Sequence, residues 1–404
     1  MKRFTKKWLA LLLAAAMALG LTACGSGDNP QNSPEQTTHP VESEEPSLQV
    51  EEDYDGKLVS DGMMDIKYAQ GFAVELYKGG YRMIQDNLSG SRILVVPEGM
   101  SVPEGLDDSV QVLQLPVTKS YICGTNITAM ADAIGAIEKV TLVGASSKWH
   151  FQSIQDQIDS GHTQFAGGYT GDPDYEVIGM GGVQVAVWNG YEEEVFEKLR
   201  ALDICVVCEE NTNEPNLFAR IEWMKLLGVI YGMEDEATAY YDDQVAQIEA
   251  IKAEGDTGVL VGMGALSTSS GKYFSRKSGD FQADYIRFAG GTYNLEDVEP
   301  DQGGSLTMID EDFYLRFKDC DVLIWNLGMG DEETMEALAV IYPLIVDFKA
   351  YQNDQVYIQA DKYIQTGAQD PACIVRDIHT ILTSDDPDVT TDHIIHLPWA
   401  SEAS

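Results

Sequence analysis

Basic residues are scarce in this chain. Its 404 residues include 26 Lys and Arg against 66 Asp and Glu, a formal net charge of -40. A surface of that sign repels phosphate backbones and anionic headgroups, which excludes nucleic-acid binding and electrostatic docking on a membrane. Histidine is rarer still: two of the six fall in the segment DHIIHL, so a site for bare zinc or manganese lacks ligands. The motifs HExxH and GxSxG are missing, as is a paired-histidine site. GMGALSTSSGKY has the outline of a phosphate loop, but six residues separate Gly264 from Gly271-Lys272, and Tyr273 stands where Ser or Thr is required. Gly262-Met263-Gly264 lacks a third Gly at dinucleotide spacing. No catalytic residue and no metal ligand is assigned. Long apolar runs are equally few. The one from Trp8 to Leu21 is short of the roughly 20 residues that a spanning helix needs.

That run follows Lys2, Arg3, Lys6 and Lys7, the layout of a secretory signal, and leads into Leu21-Thr22-Ala23-Cys24. These four residues resemble a bacterial lipobox, in which the Cys becomes the diacylated N-terminus after cleavage. Residues 1–23 are therefore expected to be a lipoprotein signal peptide and Cys24 the lipidation site. Two acyl chains provide the anchoring that one cannot. Residues 24–55 are polar, acidic and contain Pro, the composition of a disordered tether. Cleavage removes four positive charges and no negative ones, leaving an acidic body held outside the cell membrane by its lipid. Of the other five cysteines, Cys205 and Cys208 have CxxC spacing but sit in the apolar run ICVVC, with no second CxxC to complete a zinc site. Residues three apart on a strand point to opposite faces, so a buried core role is expected for both.

A body of this length calls for two domains. GFAVELYKGGYRMIQD reads as a hairpin about Lys78-Gly79-Gly80, and SRILVVPEG and VQVLQLPV as short strands. TNITAMADAIGAIEKVTLVG, VQVAVWN, EEEVFEKLRAL and ICVVCEE then alternate helix and strand, which predicts parallel pairing with right-handed crossovers. Residues 214–254 are helical in pattern with interruptions at Gly228 and Gly232. Tyr241, Val245, Ile248 and Ile251 share one face, and a rod centred on 234–254 is roughly 30 Å long, enough to cross between lobes. Alternation restarts with DTGVLVGMGAL and ends with a helix from Pro371 to Thr383. The expected fold is α/β: two Rossmann-like lobes, 56–213 and 255–386, joined by a single long interlobe helix within 214–254 and followed by a tail, 387–404.

The segment NLFARIEWMKLLGVIYGMEDEATAYYDD resembles the one that opens the interlobe helix in class III solute-binding lipoproteins of bacterial ABC importers, a family that captures iron–siderophores, haem and cobalamin. Asp174-Tyr175-Glu176 before VIGMGGVQVAVWNG is similar to a second family motif, although Val183-Gln184 replaces the usual Pro-Asp. The resemblance runs from about Thr118 to Thr383. It implies a monomeric, non-enzymatic receptor without a cofactor of its own, which hands a metal chelate (ferric siderophore, haem or corrinoid) to a permease dimer with a cytoplasmic ATPase. It also implies one docking carboxylate per lobe: Glu176, and Glu311 or Asp312, with Glu311 chosen. Ligand contacts are expected from aromatic and basic residues at strand ends. These are Trp149, His150, Phe151, Tyr169 and Trp188-Asn189 in the first lobe. In the second they are Tyr273, Phe274, Arg276 and Lys277 on the loop LSTSSGKYFSRKSG, with Trp325 and Tyr363. The competing reading is a cell-surface hydrolase or esterase on an α/β scaffold.

Overall fold

A computed structural model describes residues 57–145, 148–267, 270–325, 333–386 and 388–401. The expected signal peptide, the lipidation site Cys24 and the tether to residue 55 lie outside the described residues. The described chain opens with a layer of strands. β1 (Ser60–Met63), β2 (Phe72–Tyr77), β3 (Arg82–Asp86), β4 (Arg92–Val96) and β5 (Gln111–Gln114) lie side by side in chain order. β2 and β3 form the antiparallel hairpin around Lys78-Gly79-Gly80, and β4 and β5 run parallel. Phe72, Val74, Ile84, Ile93, Val95 and Leu113 alternate onto one face and bury in a core shared with the next sheet.

That sheet is wholly parallel. β6 (Ser120–Cys123), α1 (Thr125–Ala133), β7 (Val140–Val143), α2 (Gln152–Ser160), β8 (Gln164–Phe165), α3 (Tyr175–Gly181), β9 (Val185–Asn189), α4 (Glu193–Arg200) and β10 (Cys205–Glu209) alternate without exception. Their order is β10-β9-β6-β7-β8, so the winding reverses between β6 and β9. Open α/β sheets bind ligands beyond the strand C-termini at such a switch point. β10 is an edge strand, and side chains from the first sheet cover it. The Gln111 amide bonds the Val206 backbone at both N–H and C=O, and Asp86 accepts from Cys208 N. An exposed row of ladder groups is thereby removed. Residues 56–213 thus hold two sheets, because the short turns among β1–β4 leave no room for crossover helices.

Two helices make the crossing. α5 (Leu217–Tyr231) buries all fifteen of its residues, and α6 (Glu234–Lys252) folds back along it. Leu217, Phe218 and Ile221 at the start of α5 pack in the core of the second lobe, while Trp223 to Ile230 pack in that of the first. α6 makes the return trip, from Ala237 in the first core to Tyr241 and Ile248 in the second. The anticipated rod therefore occupies Glu234–Lys252 but is doubled by α5. Gly232, at φ 67°, ends α5 in the left-handed region, and a Cβ on Gly228 would lie 2.7 Å from that of Ala237, so only glycine lets the helices meet there.

The second lobe comprises β11 (Leu260–Ser267), β12 (Lys272–Arg276), α7 (Phe281–Phe288), β13 (Thr292–Tyr293), β14 (Ser305–Met308), α8 (Asp310–Phe317), β15 (Val322–Trp325), α9 (Met335–Ile341), α10 (Lys349–Gln352), β16 (Val356–Gln359), α11 (Tyr363–Gln369), α12 (Pro371–Thr383) and β17 (Ile394–His396). Its sheet runs β14-β12-β11-β15-β16-β17, with β13 beside β11. The centre, β11-β15-β16, is parallel and both margins are antiparallel. Two expectations need correction here. The loop LSTSSGKYFSRKSG contains β12, with Tyr273 and Ser275 facing inward. The tail from 387 contributes β17, because Ile394 and Leu397 are apolar enough to bury completely.

α5 carries three charges in otherwise apolar surroundings, and two of them hold the first sheet. Glu222, fully buried, accepts the backbone N–H groups of Lys67, Tyr68 and Ala69 at 2.8–3.1 Å and pairs with Lys225 at 2.9 Å. Lys225 also donates to Asp65 O and lies over the Tyr241 ring of α6. Just before the helix, Glu214 accepts Gln70 N, Gly71 N and Trp223 Nε1 at 2.7–2.9 Å. Removing one member of a buried pair strands the other charge, at a cost of about 3–5 kcal/mol. Glu222→Ala should lower the urea-unfolding free energy by about that much, and Glu222→Ala/Lys225→Met should recover part of it. A loss below about 1 kcal/mol would show that the strap at 67–71 does not depend on this carboxylate.

Candidate functional site

Strand C-termini of both lobes converge on a cleft of about 320 Å³. From the first lobe, Thr125 and Asn126 follow β6, Asn189 ends β9, Tyr169 follows β8, and Thr212 and Asn213 form a turn after β10. β6 and β9 are the strands between which the winding reverses, so the first lobe offers its switch point. From the second come Arg276 at the end of β12, Asp280 to Gln282 at the start of α7, Tyr285, Gly304-Ser305, and Tyr363, Ile364 and Gly367 on α11. Arg220 of α5 closes the space between them.

The lining is aromatic on one side and charged on the other. Tyr285 and Tyr363 meet edge to face at 6.2 Å, and Tyr285 donates to Gly367 O. Arg220 is 3% exposed, with its guanidinium 3.9 Å above the Phe281 ring. Burial lowers its pKa, opposed by the nearby acidic groups Glu209 and Asp280. Arg276 is held by neutral groups: Ser305 Oγ at 3.2 Å and the Gln282 amide which, oriented by its neighbours, places oxygen 3.0 Å from Nε and 2.7 Å from Nη2. Asp280 caps α7 through Gln282 N, accepts Gly304 N and stands 4.0 Å from Arg276. Glu209 is buried beneath Asn189 and Asn211, and burial raises its pKa.

Of the aromatic and basic residues singled out by sequence, the cleft gathers Tyr169, Arg276 and Tyr363, and with them Asn189. The rest lie elsewhere. Trp188 is 1% exposed in the rear core of the first lobe, because alternation along β9 points it away from the face that Asn189 reaches. Tyr273 stacks on Phe313 at 4.6 Å, and Trp325 is buried in the same core against Phe313 and Tyr342. Phe274 is half-buried on β12, and Lys277 pairs with Glu299 and Gln302. Trp149 and Phe151 pack edge to face in the first core. His150 instead belongs to the seam between lobes. Its N–H donates to Gln365 of α11, which in turn donates to Lys148 O, while Lys148 pairs with Asp361. Burial and Lys148 lower the His150 pKa.

Sequence reasoning missed Arg220, Phe281, Tyr285 and the Thr125-Asn126 and Thr212-Asn213 pairs. Arg220 did leave a trace, as one of only three charges in a helix that is otherwise apolar on every face. The carboxylates expected to dock are both exposed, and each is the second residue of a helix entering a parallel strand: Glu176 on α3 before β9, Glu311 on α8 before β15. Cys205 and Cys208 lie in cores on opposite faces of their sheet. Among the described residues no group of three or more His, Cys, Asp and Glu is placed to hold a metal ion.

No family model matches the chain. An uncharacterized lipoprotein of Methanocaldococcus jannaschii is 24% identical over 330 residues, 77% of this chain and 78% of its own length. Among solved structures, the periplasmic haem-binding protein of Vibrio cholerae aligns with TM-score 0.54 at 15% identity, covering 66% of this chain and all of that one. An ABC-type Fe3+-hydroxamate transport protein from Saccharomonospora viridis gives 0.51 at 18%, covering 67% of this chain and 94% of its own. The fold is that of the class III substrate-binding proteins, two α/β lobes about a ligand cleft. A third of this chain lies outside each of the two structural matches.

Burial pushes the thiols of Cys123, Cys205 and Cys320 up to about 12, and those of Cys208 and Cys373 further. A thiol that ionises near pH 8.5 when unfolded but not when folded stabilises the native state fully below that pH and progressively less above it. Stability should therefore fall between about pH 8.5 and 12. At pH 8 these five thiols should react with a disulfide reagent only as fast as the protein unfolds. Rapid stoichiometric labelling of any of them would contradict the burial.

Proposed function

We propose that this protein is the extracytoplasmic substrate-binding component of an ABC importer, held to the membrane through a lipid on Cys24, which captures a metal chelate (ferric siderophore, haem or corrinoid) and delivers it to the permease. The observation that carries this reading is the cleft at the switch point, with walls from both lobes and a floor from the crossing helix. Phe281, Tyr285, Tyr363 and Tyr169 line it and supply aromatic surface for an apolar chelate rim at little entropic cost. Neither His nor Cys is among the described lining residues, so the usual nucleophile–base pairs have no candidates there. A relative named as a lipoprotein, and solved neighbours named for haem and Fe3+-hydroxamate transport, are consistent with capture outside the cell.

Delivery needs two equivalent contacts, one per permease subunit. Glu176 and Glu311 occupy matching helix positions, and each is followed one turn later by an exposed apolar side chain: Met180, 75% exposed, and Leu315, 57% exposed. An acid beside an apolar knob fits a basic pocket with an apolar rim, the carboxylate giving register through charge-assisted bonds to Arg. This equivalence favours Glu311 over Asp312. Two crossing helices and the α1–α11 seam resist bending more than loops do, so closure on the ligand is small.

Tryptophan-fluorescence titration against a chelate panel tests capture; affinity weaker than roughly micromolar for every member would overturn the chelate reading. Glu176→Lys/Glu311→Lys should abolish uptake in cells while leaving chelate affinity and melting temperature unchanged, since both sites are exposed. Normal uptake by that variant would remove these residues from docking.

A further inference from the structure

The cleft holds a guanidinium that the protein leaves partly unbonded. Arg220 is buried, lines the cleft, and has no hydrogen-bond partner for Nε or Nη1 among the described residues. Leaving a buried charged donor unmet is costly, and native structures keep such groups rarely and for a reason. The neighbouring carboxylates are already committed, Asp280 to Gln282 N and Gly304 N, and Glu209 to Asn189 and Asn211. Phe281 supports the guanidinium from below but offers no acceptor. Arg276 adds a second guanidinium, hydrogen-bonded by Ser305 and Gln282 and paired only distantly, at 4.0 Å, with Asp280. The nine-residue helix α1 adds a third source of positive potential, because its first turn opens on the cleft with neither a side-chain cap nor an acidic residue. In a chain of net charge -40 this convergence runs against the average.

We infer that the cleft is an anion receptor: Arg220 takes a carboxylate of the ligand in its planar fork, with Arg276 and the start of α1 as second and third partners. Resting on the importer reading above, this narrows the cargo to a compact, net-negative chelate of the polycarboxylate type, as opposed to a neutral hydroxamate or a corrinoid. The guanidinium fork matches a carboxylate in two parallel bonds. The volume, about 320 Å³, lies at the small end of the usual 300–1,000 Å³ for ligand sites and favours a compact ligand over a macrocycle.

The test uses the purified protein with metal-free citrate, ferric citrate, the hydroxamate ferrioxamine B and cyanocobalamin as probes, read by thermal shift and calorimetry. Citrate and ferric citrate should raise the melting temperature, less so as salt is increased. Arg220→Met should weaken both by about 100-fold or more, and Arg220→Lys by less, since it keeps charge without the fork. Without ligand, Arg220→Met should melt higher than the parent, because an unmet buried charge has been replaced by an apolar side chain. Should Arg220→Met not fold, or melt lower, the arginine is structural and the inference fails. Equal binding of citrate by parent and Arg220→Met also overturns it, as does tight binding of ferrioxamine B or cyanocobalamin with none of the citrates; in that last case the importer reading stands. Arg220-dependent binding of metal-free citrate with no chelate bound has the opposite meaning: the anion site stands and the chelate reading falls.

Discussion

Five consecutive backbone N–H groups, from Lys67 to Gly71, close on two carboxylates, Glu222 on α5 and Glu214 just before it. The rest of the structure depends on this contact. The crossing helix has no solvent-facing side, so its polar groups, Arg220 at the cleft apart, find their partners within the fold. Glu222 finds the strap and Lys225, Lys225 reaches Asp65 and α6, and Glu214 binds the strap and Trp223. One network thereby joins the first sheet, both crossing helices and the core of the first lobe.

Because α5 is anchored at both ends, its side chains are placed rather than free to adapt. Its first turns belong to the core of the second lobe and its later turns to that of the first, so Arg220 sits at the junction. Any tilt of one lobe against the other would have to shear these packed turns together with the seam, where Gln365 bonds both His150 N and Lys148 O. Positions in the cleft are therefore held by packed elements, which suits recognition by a few directed polar groups on an apolar wall.

Charge in this protein differs between its surface and its cleft. Most carboxylates crowd the surface, and the buried ones, such as Glu214, Glu222 and Asp280, are tied to backbone N–H groups, whereas Arg220, Arg276 and the uncapped start of α1 face the cleft. An acidic exterior and open guanidinium donors in the cleft leave an anionic ligand repelled at long range and held at short range. Screening reduces the first beyond a Debye length of about 8 Å at physiological salt, while burial preserves the second. Specificity then rests on reaching the cleft, where geometry decides.

By itself the sequence determined the alternation of strands and helices, the hairpin at Lys78-Gly79-Gly80, the opposed faces of Cys205 and Cys208, and the helical segment that crosses between lobes. Each depends on local periodicity, turn chemistry or a motif, all of which are written in neighbouring residues. Only the tertiary structure decided which aromatics meet the ligand space. Trp188 and Asn189 are adjacent in sequence and equally close to a strand end, yet parity along β9 sends one into the rear core and the other into the cleft. Tyr273 was lost to a strand that reads as a loop, since pairing on both sides, with β11 and β14, outweighs the serines and glycines around it. The solitude of Arg220 was likewise settled by how the second lobe, with Phe281 and Asp280, closes over it. Burial and satisfaction of a polar group are properties of its surroundings, and no pattern along the chain records which surroundings will fold around it.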